Sequence, residues 1–373
     1  MIRFWDSDFD VNYYNELNRI LNRDKINATF FNQFLKIINE KKNIQNWVNI
    51  ENEYYDILLS IINNKQNHYD LPNDYTIENL NNDFKIIKDR LVNYLNRIKT
   101  EFEKNNEVDS IFKRNIGSKI YSHFNISDFS GEYLSKRIDE EYERLLPLRD
   151  FHQKDLVGGA VLSYKDDKIF SDLKNNKLSK EYLKKLFLSP KPYDYFNLYP
   201  KNILFLSFNY TLTESLYSQP TEFDSKLPLI NNKYIHIHGD LKDTNENPII
   251  FGFGDELDEN YKIIENVNDN KYLENVKSIK YLETDNYKNL LDFVNSDSYQ
   301  VFIFGHSCGN SDRTLLNILF EHDNCASIKV FYYKKEDGTD YFNDVISNIS
   351  RNFNSKSKLR DRVVNKKHSE SLS

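Results

Sequence analysis

The glycines of this 373-residue chain are distributed unevenly, and none of the ten occurs before Gly117. Glycine supplies the backbone conformations that tight turns require. A long first stretch without glycine therefore favours helices that are joined by few sharp turns. We predict a helical bundle or cap over residues 1–115 and a mostly helical connector over residues 116–200.

Hydrophobic periodicity supports a helical N-terminal part. Apolar residues recur there at steps of three and four, which is the spacing of one face of a helix. The residues of this face are Leu80, Phe84, Ile87, Leu91, Leu95, Ile98 and Phe102. Shorter patterns predict helices over Asn27–Asn39, Ile50–Ile62 and Tyr133–Leu146.

Composition argues against several classes of partner. The chain has 50 basic and 57 acidic residues, whereas a dedicated nucleic-acid binder needs a basic surface. The two cysteines, Cys308 and Cys325, form neither a disulfide framework nor a metal-type spacing, so we expect a cytoplasmic protein without a metal. No apolar run reaches the roughly 20 residues that span a bilayer, and Met1–Asp10 lacks the order of a signal peptide.

After Pro200 the chain changes to short apolar runs that alternate with helical patterns. The runs are Ile203–Phe208, Tyr234–His238, Ile249–Phe251, Val301–Phe304 and Ile328–Tyr333. The helical patterns are Leu212–Tyr217, Lys288–Val294, Arg313–His322 and Tyr341–Phe353. Such alternation with continuous apolar strands indicates a parallel sheet covered on both faces, so we predict a Rossmann-like α/β domain over 201–355. A basic polar tail is expected over 356–373.

Polar residues follow three of these strands, where ligands of open α/β sheets bind. Asn209 follows the first strand, and its carboxamide can orient a water; it could equally cap the next helix. His236 and His238 share one face of the second strand, and Gly239 and Asp240 follow them. A strand-end histidine suits a general base, although a buried structural pair or a zinc pair is an alternative.

The third segment begins at Gly305 and ends at Asp312. Its backbone N–H groups lie before a predicted helix, which suits a nucleotide. Gly305–Gly309 reads Gly-His-Ser-Cys-Gly and also matches the nucleophile elbow of α/β-hydrolases, with Ser307 as nucleophile. The histidines after Ser307 are only His322, on the helix just beyond it, and His368, in the expected polar tail. Only one predicted strand follows Ser307, which is too few for the usual acid and histidine loops.

In their order, these motifs resemble the AbiH abortive-infection family of bacterial anti-phage proteins and, more distantly, sirtuin-like NAD-consuming domains. The motifs are Phe-Asn-Tyr-Thr, His-Ile-His-Gly-Asp, Pro-Ile-Ile-Phe-Gly and Ile-Phe-Gly-His-Ser-Cys-Gly-Asn-Ser-Asp. Asn46–Tyr55 is similar to a helical motif with Trp and Glu in the family's N-terminal half. The resemblance implies a sirtuin-related, Rossmann-like fold over 202–353 and cleavage of the nicotinamide–ribose bond of NAD.

The resemblance also implies roles for particular residues. Asn209 would place the attacking water, and His238 would act as the base, with His236 supporting it. The residues expected to contact the nucleotide are Gly239, Asp240, Gly305, His306, Ser307 and Asp312. No metal is assigned.

The chain departs from both families at its start, where they have a strand and a glycine-containing turn. Here Asp6–Asp10 reads Asp-Ser-Asp-Phe-Asp, and its carboxylates would repel a diphosphate. We therefore expect poor NAD binding by this sequence, unless a reading frame upstream of Met1 restores the glycine turn.

The expected role is defence against phage by abortive infection, with NAD as the candidate substrate. A phage-derived trigger protein and a second copy of the chain are the expected partners, and a membrane is not. The alternatives are a non-catalytic module that binds or senses a nucleotide, and a serine α/β-hydrolase that uses Ser307.

Overall fold

A computed structural model describes residues 31–41, 47–105, 110–153, 163–173, 177–223 and 228–372. Among these residues no strand occurs before Asn202, and the described part of the first half is helical. Its helices are α1 (Gln33–Glu40), α2 (Trp47–Ile62), α3 (Ile77–Asn105), α4 (Ser110–Ile120), α5 (Gly131–Gln153), α6 (Tyr164–Leu173) and α7 (Lys180–Phe187). The segments 27–30 and 6–10, on which two of the expectations fall, lie outside the described residues.

Helix α3 shows how the predicted apolar face is used. Thr76 and Asn79 exchange hydrogen bonds ahead of its first turn, which is a capping arrangement that fixes where the helix begins. Leu80 and Phe84 are fully buried, whereas Phe102 near the other end is 47% exposed. The apolar face is therefore core only along the first part of the helix.

The second half of the chain contains parallel strands, as predicted. Strand β1 (Asn202–Ser207) pairs in parallel with β2 (Asn231–His236). The remaining strands form a second parallel sheet in the order β3 (Tyr299–Phe304), β4 (Cys325–Tyr332) and β5 (Glu370–Ser371). The helices of this half are α8 (Tyr261–Asn266), α9 (Lys277–Lys280), α10 (Asn286–Ser296), α11 (Arg313–Glu321), α12 (Phe342–Arg351) and α13 (Lys356–Arg362).

The single continuous sheet of a Rossmann-like fold is not formed by the described residues. Strand β1 pairs with β2 and strand β3 with β4, but β1 and β3 do not pair with each other. The run Ile249–Phe251 is not a strand either. Its Ile250 N–H donates a hydrogen bond to the His238 carbonyl. Gly239 packs against the backbone of Pro248, which directly precedes the run. The described fold is a mixed α/β protein with two small parallel sheets.

The C-terminal residues belong to the fold, in contrast to the expected polar tail. Helix α13 is followed by β5, and the Val364 and Leu372 amides donate to carbonyl groups of β4. The Arg362 side chain is buried, and its guanidinium donates to the carbonyls of Phe320 and His322. The basic residues of this segment thus cap the end of α11.

Buried apolar residues form three clusters. One joins α1–α3 to Phe251, Phe253 and Ile264 of the second half. A second lies between the strands and helices α10–α12. The third consists of residues between 126 and 198. None of the described helices combines the length and the apolar character needed to cross a membrane.

Candidate functional site: a buried ionic cluster beside a cavity

A fully buried lysine lies at the centre of the candidate site. Lys277 is the first residue of α9, and its side chain is 2% exposed. Its Nζ donates to Glu51 Oε2 at 3.0 Å and to Asp312 Oδ1 at 2.9 Å. Glu51 comes from α2, and Asp312 directly precedes α11. The ion pairs therefore connect the first helices to the α/β half of the molecule.

The charged groups of this cluster strongly shift one another's pKa values. Burial alone would raise the pKa of Asp312, but the Lys277 charge and the His238 contact hold it well below its usual value. Burial raises the pKa of Glu51 to about 7, although Lys277 opposes that rise. Burial would lower the pKa of Lys277, but Asp312 and Glu51 raise it. Lys277 and Asp312 are thus held as a charged pair, with Glu51 close to its midpoint at neutral pH.

His238 follows β2 and contacts this cluster. Its Nε2 lies 3.2 Å from Asp312 Oδ1 and 3.1 Å from the Tyr281 hydroxyl. Burial lowers the pKa of His238, and the Lys277 charge lowers it further. The ring is therefore neutral near pH 7. A neutral ring that donates from Nε2 to Asp312 carries its lone pair on Nδ1, which is the atom that can accept a proton.

His306 contacts the other oxygen of Asp312. The Cys308 amide donates to His306 Nδ1 at 3.0 Å, so the ring proton lies on Nε2, 3.4 Å from Asp312 Oδ2. Gly305 and Cys308 have φ values of +71° and +55°, and they make the tight turn after β3. An added Cβ at Gly305 would meet no atom within 4 Å, so the turn needs glycine for its conformation and not for space.

A cavity of about 660 Å³ lies between β1 and β3, and several predicted residues line it. Asn209, Gly305 and His306 are all among the lining residues. His238 is not, because Phe208 lies beside it with the two ring centroids 5.3 Å apart. The Phe208 ring is also 4.1 Å from that of His306. The structure thus brings Asn209, Gly305 and His306 to one cavity and places His238 behind Phe208.

His236 is the last residue of β2, and its ring contacts different groups from those of His238. Its Nε2 is 2.9 Å from Glu214 Oε1, and Glu214 lines the cavity. Burial would lower the pKa of His236, but the Glu214 carboxylate raises it. Its Nδ1 contacts the Asn209 carbonyl at 3.3 Å. The His236 ring therefore contacts Glu214 and the Asn209 backbone, and its expected support of His238 stays a prediction.

Gly239 and Asp240 shape the loop after β2. Gly239 has a φ of +83°, and a Cβ there would come within 2.1 Å of the Pro248 carbonyl oxygen. Asp240 accepts hydrogen bonds from the Lys242 and Asp243 amides and from Asn247 Nδ2. Both residues therefore hold the loop in the shape that fixes His238, and nucleotide contact by either stays a prediction.

Ser307 is exposed, and its carbonyl accepts a hydrogen bond from Asn348. The His322 ring contacts Tyr299 at the start of β3, whereas Ser307 follows the end of that strand. A six-residue strand separates two such positions by roughly 20 Å. His368 lies near Asp128 instead. Neither histidine is therefore placed to activate Ser307 as a hydrolase nucleophile.

Sequence patterns did not reveal Lys277 or Tyr281, which complete the cluster. Both lie between the predicted strands, in a stretch without an interpretable motif. Glu51 belongs to the helical Trp-and-Glu segment, which was the only available signal. Among the described residues, His, Cys, Asp and Glu side chains form no group of three that could hold a metal ion.

The fold and site define a mixed α/β protein with a buried ionic cluster beside an inter-strand cavity. A family model described as "Bacteriophage abortive infection AbiH" matches residues 7–334. The chain therefore belongs to the AbiH family, which implies a function in abortive infection by bacteriophage. Comparison with curated proteins and with solved structures gave no match.

Proposed function

We propose that the protein acts in abortive infection by hydrolysing the nicotinamide–ribose bond of NAD. The observation that carries this proposal is the position of Asp312. It contacts His238, His306 and Lys277 directly behind the cavity that Asn209 and His306 line. Buried groups with strongly shifted pKa values beside a cavity are typical of functional sites.

In the proposed reaction the bond between ribose C1′ and the nicotinamide nitrogen breaks, and its electron pair leaves with neutral nicotinamide. Water attacks C1′ and gives ADP-ribose, and the water proton passes to His238 Nδ1. Asn209 orients the water through its carboxamide. Asp312 accepts from His238 Nε2 and stabilises the ring once it is protonated, as an orienting carboxylate does for a catalytic histidine. For this contact Phe208 must turn away from between His238 and the cavity.

The turn after β3 is the proposed place for the diphosphate. The turn begins at Gly305, which has positive φ, and backbone N–H groups of such a turn can bind an anion, although the Cys308 N–H already donates to His306 Nδ1. His306 lies in the same turn and lines the cavity. The acidic segment Asp6–Asp10 opposes an anion, so we expect turnover to depend on a phage trigger.

NAD measured in cells during phage infection tests the proposal. Cells that express the protein should lose NAD after infection, and His238→Gln and Asn209→Ala should each slow this loss by about 10²–10⁴-fold. His322→Gln is the matched control, because His322 is a histidine at the opposite end of β3. Unchanged NAD loss in His238→Gln would contradict the assignment of the base.

A second function, nucleotide sensing without turnover, is favoured by the burial of His238. Its side chain is 5% exposed behind Phe208, and Asp312 connects it through Lys277 to Glu51 on α2. A ligand that moves Asp312 would therefore disturb the contact with the first helices. Under this function, infected cells would keep their NAD, and His238→Gln would still protect against phage.

A further inference from the structure

Helix α12 holds the turn that follows β3. Asn348 lies in this helix, and its Nδ2 donates to the Ser307 carbonyl at 2.8 Å. Asn352 directly follows the helix, and its Nδ2 donates to the Cys308 carbonyl at 2.8 Å. Residues four apart lie on one face of a helix, so both amides reach the turn from the same side. Two successive carbonyl groups of the turn are therefore bonded to asparagines of one helix face.

Both bonds act on Cys308, because they hold the peptide planes on either side of it. The Ser307 carbonyl and the Cys308 N–H belong to one planar peptide group, and the Cys308 carbonyl belongs to the next. With both planes held, the backbone conformation of Cys308 is determined. Its φ of +55° lies in the left-handed region, which residues with a Cβ atom rarely adopt. The asparagines thus hold Cys308 in a conformation that it does not favour by itself.

The amide of Asn352 is buried in an orientation that is set by the bonds it donates. The residue is 0% exposed, and its Nδ2 also donates to the Asn348 carbonyl at 2.9 Å. Exchange of the two amide atoms would turn Oδ1 toward two carbonyl oxygens, so this orientation is fixed. In it, Oδ1 has no hydrogen-bond partner among the described residues. A buried acceptor without a partner is unfavourable, so the benefit of an amide here lies in its donor bonds.

The Cys308 N–H determines how the His306 ring meets Asp312. It donates to His306 Nδ1 at 3.0 Å and so occupies the lone pair of that nitrogen. The ring proton then lies on Nε2, which is 3.4 Å from Asp312 Oδ2. His238 contacts the other carboxylate oxygen, Oδ1. The direction of one backbone N–H therefore decides which nitrogen of His306 faces the carboxylate.

We propose that Asn348 and Asn352 are positioning residues of the candidate site, which act through Cys308 on His306. They keep the N–H of Cys308 turned toward the His306 ring, and the ring then keeps its Nε2 proton for Asp312. Neither asparagine is among the residues that line the cavity, so neither acts on a ligand directly. The inference concerns the geometry of the turn and does not depend on the reaction proposed above.

The chain has two cysteines, which allows a direct test on the full protein. Protein labelled with ¹⁵N at cysteine and histidine alone shows the backbone amide signals of Cys308 and Cys325 separately from all other non-histidine amides. In the wild type, the Cys308 amide nitrogen should show a scalar coupling to His306 Nδ1 across their hydrogen bond. The Cys325 amide donates to the His322 carbonyl at the start of β4, so it is an internal reference for the fold.

Asn348→Ala and Asn352→Ala should each weaken this coupling. Each should also speed the exchange of the Cys308 amide with solvent by about 10-fold, which corresponds to the loss of one hydrogen bond. The Cys325 amide should exchange at its wild-type rate in both variants. The matched control is Asn343→Ala, because Asn343 is an exposed asparagine in the first turn of the same helix. That variant should change neither amide.

Three results would contradict the proposal. A wild-type protein without the coupling would show that the Cys308 N–H does not meet His306, and this measurement needs no variant. Unchanged Cys308 exchange in Asn348→Ala or Asn352→Ala would show that the asparagine concerned does not position the turn. Equal acceleration at Cys308 and Cys325 would mean that the asparagines stabilise the fold in general, and it would overturn their assignment as positioning residues.

Discussion

The two groups of helices in the first half of the chain relate differently to the α/β half. The first group, α1–α3, shares its core with residues of the second half, and the Tyr55 ring stacks on Phe253 with centroids 3.5 Å apart. The second group, α5–α7, packs around a cluster made only of residues 126–198. The first group therefore supplies Glu51 to the ionic cluster. The second group packs around its own apolar cluster and contributes Tyr133 and Phe187, among others, to the lining of the cavity.

Two buried lysines of the α/β half pair with the first half of the chain, Lys277 with Glu51 of α2 and Lys329 with Asp128 just before α5, and they differ in their other partners. Lys277 contacts Glu51 and Asp312, which are both buried. Lys329 of β4 contacts Asp128, which is buried, and Glu370, whose side chain is 50% exposed. A lysine between two buried carboxylates is difficult to replace, because its loss leaves both charges buried without a partner. A lysine that also pairs with a solvated carboxylate tolerates loss of its buried partner.

The largest expected effect is that of Lys277→Met. Removal of the cation leaves two carboxylates buried without their partner, so the free energy of unfolding should fall by about 3–5 kcal/mol. Chemical denaturation measures this change. The matched control is Lys280→Met in the same helix, whose partner Glu283 is exposed. The free energy of unfolding of that variant should fall by at most about 1 kcal/mol. Equal falls in the two variants would contradict the prediction that the buried Lys277 contributes more than the exposed pair.

The next prediction concerns pH and Glu51. Burial raises its pKa from 4.5 to about 7. The folded state therefore favours the protonated form, so the stabilising contribution is complete below pH 4.5 and is lost as pH rises through 7. The loss should be on the order of 1–3 kcal/mol. Glu51→Gln cannot titrate and should show a flatter stability profile between these pH values.

The depressed pKa of Asp312 affects stability in a different pH range. Its contribution to the free energy of unfolding is lost only as pH falls below the usual pKa of 3.8. Denaturation of the wild type and Glu51→Gln across pH 4.5 to 7 therefore isolates Glu51. Parallel profiles for the two proteins would show that Lys277 keeps Glu51 ionised throughout.

Much of the local structure was predictable, because it depends on neighbouring residues. The periodicity of α3 and the apolar run of β1 were both correctly interpreted. Asn209, His238 and Gly305 were expected at one crevice because each follows an apolar strand. Asn209 and Gly305 line the same cavity, and His238 does not. These predictions needed only the rule that the polar ends of parallel strands meet at one edge.

The remaining features depend on contacts between distant segments. Lys277 pairs with Glu51 across 226 positions of the chain, and no local pattern reports such a pair. The division of the described strands into two sheets was not predicted for the same reason, since strand order is a tertiary property. The C-terminal segment appeared polar because its basic residues are numerous, yet Arg362 is buried against carbonyl groups at the end of α11.

The smallest expected effect is that of Asp128→Asn, just before the first helix of the second group. Burial raises the pKa of Asp128 despite the nearby Lys329, so the fold already disfavours its charged form, and a neutral amide should be tolerated. Lys329 keeps Glu370 as a partner. We expect a loss of about 1 kcal/mol in the free energy of unfolding. The His238 ring resonances should not change, because Asp128 pairs with Lys329, whereas His238 contacts Asp312. Asp312→Asn is the matched comparison: the pKa of Asp312 is held well below normal, so loss of its charge should cost more and shift those resonances. Equal costs for the two substitutions, or a shift of the His238 resonances in Asp128→Asn, would contradict the distinction between the two groups of helices.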